Sequence, residues 1–194
     1  MKRIVFVVSH VGAGAETFIT QVLNENPRLD ILMTGRSYEH PSDLDALFVY
    51  PHKLNNTAAI YGDLLLHNIN FSCPSLHKIC KFIYIIREAK PSLNENLMHP
   101  RKYQEAYYRF RLRRMYEMAR NTPGAVFLTW DDMRSGRGNG LIEEYLSLKE
   151  SLVKRSEIFP ISIKDRISFD EIARCQDVYE KYFFKMRSLN LRQV

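Results

Sequence analysis

The chain has 194 residues, 45% of them hydrophobic and 12% aromatic, which is enough for one domain with a sizeable core and excludes a disordered chain. Its formal net charge is +6, from 28 Lys and Arg against 22 Asp and Glu, which suits an anionic ligand or an acidic partner and equally a plain basic surface. Cys73, Cys80 and Cys175 form no CxxC pair, which argues against a disulfide framework and a structural zinc site and for free thiols in a reducing compartment. The apolar run from Ile4 to Val8 is too short for a signal segment or a membrane span, and no other stretch approaches membrane length. The expectation is one domain over residues 1–194, cytoplasmic, with no membrane partner.

In chain order, Ile4 to Val8 is β-branched and aromatic and predicts a central parallel strand. A small, glycine-bearing loop follows, then a helix over Glu16 to Asn24 with Phe18, Ile19, Val22 and Leu23 on one face and Pro27 beyond its end. Ala46 to Tyr50 predicts a second strand and Asn56 to His67 a helix. Lys81 to Ile86 is the strongest strand signal in the chain. Arg101 to Arg120 predicts a long helix, with Tyr103, Ala106, Tyr107, Phe110, Met115 and Met118 as candidate buried positions. Ala125 to Thr129 predicts a strand stopped by Trp130-Asp131-Asp132, and Leu141 to Leu152 a helix. Ser168 with Glu171 is a capping box that starts a last helix running to about Ser188. Strands alternating with helices imply an α/β fold, a central parallel sheet with helices on both faces. In such sheets ligands bind beyond the carboxyl ends of the strands, so the residues after Val8, Tyr50, Ile86 and Thr129 are the ones to examine.

The loop Ser9-His10-Val11-Gly12-Ala13-Gly14-Ala15-Glu16-Thr17 joins a strand to a helix. Small residues let main-chain N–H groups approach an anion, and the helix N-terminus adds positive potential. No Gly-Lys-Ser/Thr closes the loop, so it is not a Walker A sequence, and Thr17 stands where GxGxxG would need its third glycine. The alternative reading is a tight strand–helix turn without a ligand.

Lys81-Phe82-Ile83-Tyr84-Ile85-Ile86-Arg87-Glu88-Ala89-Lys90-Pro91-Ser92 resembles the sulfotransferase segment in which a strand ends in Arg-Asp/Asn-Pro and a serine follows. Three other segments are similar to that family in order and spacing. They are Thr17-Phe18 with Leu23-Asn24-Glu25-Asn26-Pro27, then Phe127-Leu128-Thr129-Trp130-Asp131-Asp132-Met133, then Leu141 to Leu148. The resemblance spans about Ile4 to Leu148. It implies a three-layer α/β/α, P-loop NTPase-like sulfotransferase fold, and PAPS as sulfuryl donor with PAP as product. It further implies a donor site over Gly12, Ala13, Gly14, Ala15, Glu16, Thr17 and Phe18, with Arg87 and Ser92 on the 3′-phosphate, and no metal. An arginine at a strand end offers a planar fork to a phosphate; the competing reading is an ion pair with Glu88 or Asp131. The chain departs from the family in three places. Glu16 or Ala15 stands where a hydroxyl residue is usual. No Lys or Arg lies between Arg3 and Arg28, and Glu95 stands where the family's serine is usual, which leaves Ser92 as the substitute.

Phe48-Val49-Tyr50-Pro51-His52-Lys53-Leu54 resembles the family's Lys-Thr-His-x-Pro region, which implies His52 as general base, and Lys53 can supply the cation missing from the first loop. An exposed loop histidine is the plain alternative. The resemblance also implies a second candidate base, Glu39 with His40, since other branches of the family use a Glu shortly after the first helix, and His10 is a candidate ligand donor within the first loop. On the long helix, Arg109 and Arg113 share a face at i, i+4 and Arg111 falls partly with the Met115 stripe; a solvated basic face is expected, an acidic-substrate surface being the sharper reading. No nucleic-acid signature is present. Arg134-Ser135-Gly136-Arg137-Gly138-Asn139-Gly140 is a basic loop near the inferred site, read as an acceptor lid or a surface turn. Three functions follow. The first is a sulfotransferase acting on a hydroxyl or amine of a small molecule or carbohydrate. The others are a P-loop-like small-molecule kinase and a non-catalytic nucleotide-binding relative.

Overall fold

The computed structural model describes residues 4–10, 13, 15–27, 29–33, 57–61, 80–95, 101–149, 151–152 and 168–194. Within them the chain runs β1 (Ile4–Ser9), α1 (Ala15–Gln21), a 3-10 turn (Leu23–Glu25), β2 (Leu29–Met33), β3 (Thr57–Tyr61), β4 (Cys80–Ile86), α2 (Ala89–Glu95), α3 (Arg101–Arg120), β5 (Val126–Thr129), α4 (Trp130–Arg134), α5 (Asn139–Leu146) and α6 (Phe169–Arg187). The five strands form one sheet in the order β2-β3-β1-β4-β5, and every pairing is parallel. This order differs from the 3-2-1-4-5 of dinucleotide-binding sheets.

Both faces of the sheet are covered, which explains why β1 and β4 read as unbroken apolar runs. Phe6, Val8, Phe82, Tyr84, Ile86 and Phe127 face one side and pack on α2, α3 and α6 through Leu93, Tyr108, Leu112, Met115, Cys175 and Met186. Val5, Val7, Ile83, Ile85, Val126 and Leu128 face the other and pack on α1, α4 and α5 through Phe18, Ile19, Met133, Ile142 and Tyr145. The α/β class, the parallel sheet and the three layers agree with the expectation from sequence. The outer edge of β5 is closed by residues near the end of the chain: the Phe127 N–H donates to the Arg192 carbonyl at 2.9 Å, and the Arg192 N–H to the Ala125 carbonyl at 2.8 Å.

Several local expectations need correction. Thr57–Tyr61 is a strand between β1 and β2, not part of a helix; Thr, Ile and Tyr carry β preference, and two parallel ladders override the helical reading of the alanines. β2 went unforeseen, and the expected strand from Ala46 to Tyr50 lies outside the described residues. α1 stops at Gln21, where the 3-10 turn takes over ahead of Pro27. α5 ends at Leu146 rather than Leu152, because Ser147 adopts a left-handed conformation (φ 57°) and the Leu148 N–H closes on the Glu143 carbonyl at 2.9 Å. On α3, Met115 and Met118 are buried as expected and Tyr107 is half-buried, but Ala106 and Phe110 are exposed, and the Tyr103 side chain lies outside the described residues; the buried positions are Tyr108, Arg111, Leu112, Met115, Met118 and Ala119. The capping boxes of Ser168 with Glu171 and of Thr129 with Asp132 are both formed.

Candidate functional site

The chain leaves neighbouring strands toward opposite faces. After β1 it enters α1 on one face; after β4 it enters α2 and α3 on the other; after β5 it returns to the first through α4 and α5. Crevices open beyond the carboxyl ends of strands at such reversals. One lies between β4 and β5, a cleft of about 400 Å³ lined by Ile86, Arg87, Glu88, Lys90, Pro91, Thr129, Trp130, Asp131, Arg137 and Tyr179. Three cations face two carboxylates there, and its size lies in the range of small-molecule sites.

Arg87, the first residue after β4, is buried, and its guanidinium lies 4.2 Å from the centre of the Trp130 ring. Arg134 approaches the same ring at 5.5 Å. Stacking orients the planar fork without consuming its N–H donors. The main chain of Arg87 is held from two sides: its N–H donates to His10 Nε2 at 2.9 Å, and its carbonyl accepts from the Tyr108 hydroxyl at 3.0 Å. The loop after β1 and the loop after β4 therefore meet.

The other expected site residues fall as follows. Ala13, Ala15 and Phe18 are buried, and Thr17 is half-buried. Phe18 is a core side chain of the α1 layer. Glu16 belongs to α1 by its main chain; its side chain, Gly12, Gly14, Glu39, His40, His52 and Lys53 lie outside what the structure describes. Ser92 sits inside α2, buried, with its hydroxyl donating to the Glu88 carbonyl at 2.7 Å, so this hydroxyl proton turns into the helix. His10 is buried and its Nε2 accepts a main-chain N–H, so that atom is engaged inside the fold rather than offered to a ligand.

Sequence reasoning missed the contributions of Trp130, Lys90 and Tyr179 to the cleft and the role of Arg111. Arg111 is buried; its Nη2 donates to the Ser9 carbonyl at 3.1 Å and its Nη1 to the Tyr107 hydroxyl at 2.7 Å. Arg109 and Arg113 do form the expected solvated face, paired with Glu105 at 3.3 Å and Glu117 at 2.9 Å. Burial, with the carboxylates of Glu88 and Asp131 next in weight, pushes the Tyr179 hydroxyl well above the ordinary tyrosine range, and the residue lines the cleft. Residues 134–140 form a compact turn rather than an open lid. Arg137 Nη2 pairs with Asp132 Oδ1 at 3.0 Å, Gly136 takes a left-handed φ of 70°, and a Cβ on Gly138 would stand 2.8 Å from Leu128 Cδ2. Asp132 Oδ2 caps α4 by accepting from the Thr129 N–H at 2.9 Å and hydroxyl at 2.6 Å. Among the described residues, no cluster of three His, Cys, Asp or Glu could hold a metal ion, and no helix is long and apolar enough to cross a membrane.

No family model matches the chain, and comparison with curated proteins gives no match. Among solved structures, a mouse sulfotransferase complexed with PAP is similar at 18% identity with a TM-score of 0.47, over 91% of this chain and 64% of that one. The chain thus spans 64% of the length of that sulfotransferase. A structure from the PezAT chromosomal toxin–antitoxin system of Streptococcus pneumoniae is similar at 15% identity with a TM-score of 0.33, over 97% of this chain and 88% of that one.

Proposed function

We propose that this chain binds PAPS at the carboxyl ends of β1, β4 and β5 and is a sulfotransferase. It moves the sulfuryl group to a hydroxyl or amine of a small-molecule or carbohydrate acceptor. One observation carries the reading: the buried Arg87 guanidinium is stacked on Trp130 at the cleft, while its main chain is bonded to the loop after β1. Arg87, Lys90 and Arg137 supply positive charge for a phosphate, and the Trp130 and Tyr179 rings supply flat apolar surface, a combination that fits a nucleotide bisphosphate such as PAP. PAPS supplies the sulfuryl group when bound. His52 takes the proton of the attacking acceptor, with Glu39 as the alternative base, and the roles assigned to Lys53 and the first-loop N–H groups are to offset the charge left on the donor's phosphate when its bond to sulfur breaks.

The lack of any cation between Arg3 and Arg28 favours a second reading, a nucleotide-binding relative without transfer activity. A thermal-shift comparison of PAP, Mg·ATP and NADH tests the common premise. A ligand that binds only the folded state raises the midpoint, and at about 100 times its Kd it adds about 2.7 kcal/mol. PAP alone is expected to do so. A shift with Mg·ATP and none with PAP puts a kinase in its place.

A further inference from the structure

We propose that His10 is a positioning residue that fixes Arg87 for anion binding, a role that rests on the reading of Arg87 as a phosphate-binding group. The β1–β4 ladder ends at the pair Ser9 and Ile85, and β4 itself ends at Ile86. Arg87 therefore lies beyond the sheet, and its buried main-chain groups need partners from elsewhere. Two side chains provide them. His10 Nε2 takes the Arg87 N–H at 2.9 Å across a separation of 77 residues. The Tyr108 hydroxyl donates to the Arg87 carbonyl at 3.0 Å. The His10 and Tyr108 rings meet edge to face with centroids 4.9 Å apart, so each braces the other. Along α3 from Tyr108, Arg111 holds the Ser9 carbonyl at 3.1 Å. The same helix thus grips the end of β1 and the residue after β4, and His10 closes the link between them.

Because Nε2 accepts an N–H, that nitrogen carries no proton in this arrangement. The site that sequence reading marked as a ligand donor is an internal acceptor. Its effect reaches the ligand through the Arg87 main chain, which sets where the guanidinium leaves the sheet and meets Trp130. A guanidinium fixed before binding avoids the ordering cost on association.

Trp130 is the single tryptophan, so its fluorescence reports the Arg87 stack without any ligand. In the full chain, His10→Ala and Arg87→Ala are expected to shift Trp130 emission in the same sense, with the double variant no further shifted than either alone. His10→Gln, whose amide oxygen can reach the acceptor position, should retain the wild-type spectrum. Titrated with PAP, His10→Ala should bind about tenfold more weakly, and Arg87→Ala should cost far less in that background than in the wild type. Unchanged emission in a folded His10→Ala, or independent shifts that add, overturns the proposal. Should the alanine variant not fold, His10→Phe decides. It keeps a ring against Tyr108 and removes the acceptor of the Arg87 N–H, and a wild-type spectrum there overturns the proposal. A wild type that binds no PAP overturns the donor-site reading alone, since the Trp130 signal still judges His10.

Discussion

The guanidinium of Arg87 and the indole of Trp130 stack at 4.2 Å, joining the end of β4 to the end of β5 across the mouth of the cleft. Neither residue follows the strand ladder: Arg87 comes just after Ile86, and Trp130 just after Thr129. Their contact places a planar cation and a large aromatic face where the chain reverses from one side of the sheet to the other.

Arg87→Ala should therefore weaken PAP binding by about 1.5–3 kcal/mol, the usual range for hydrogen bonds to charged groups. Arg87→Lys should recover only part of this, because an ammonium lacks the planar fork. Calorimetric titration measures both, and unchanged affinity in a folded Arg87→Ala removes the residue from the site.

Asp132→Ala should destabilise the fold by about 1–2 kcal/mol through loss of the α4 capping box, together with the Arg137 pair. The expected sign is a lower urea midpoint at unchanged slope. Arg137→Ala should cost much less, since that side chain is 61% exposed and its ion pair is screened.

PAP binding should be indifferent to EDTA and to added Mg²⁺, because the first loop lacks the Walker-type pair of a lysine followed by a hydroxyl residue that holds a metal-bound phosphate. Binding that EDTA abolishes and Mg²⁺ restores would move the kinase reading ahead.

Turnover separates the candidate bases. His52→Ala should lower it by about 10²–10⁴-fold, with PAP affinity nearly intact, because the base touches acceptor rather than donor. If Glu39→Ala is the inactive variant and His52→Ala retains most of its rate, the base is Glu39.

Burial pushes the Cys80 thiol up to about 12 and the Cys175 thiol up to about 11, from an ordinary value of 9.0. Both should resist thiolate reagents in a folded Cys73→Ser variant at pH 8 and react fully in denaturant. The linkage has a definite sign. Folding favours the protonated thiols, so their stabilisation is complete below pH 9.0 and is lost as pH rises through about 11 and about 12. Burial raises Tyr84, Tyr108 and Tyr179 as well, so unfolding midpoints should fall steadily above pH 9.

The sequence by itself determined what depends on local chemistry. The apolar runs of β1 and β4 exist because both faces of a central strand are buried, and the Ser168 and Thr129 capping boxes need only residues three apart. The position of Arg87 at a strand end was legible for the same reason. Tertiary structure decided what depends on partners distant in sequence. Thr57–Tyr61 is a strand because β1 and β2 offer it two ladders, which no local preference of its alanines specifies. Ser92 turned out to be satisfied within its own helix, and Arg111 to be buried against the end of β1. The stack of Arg87 on Trp130 and the bond from its N–H to His10 join loops 43 and 77 residues apart, and only the packing of α3 and α4 on opposite faces of the sheet brings them together.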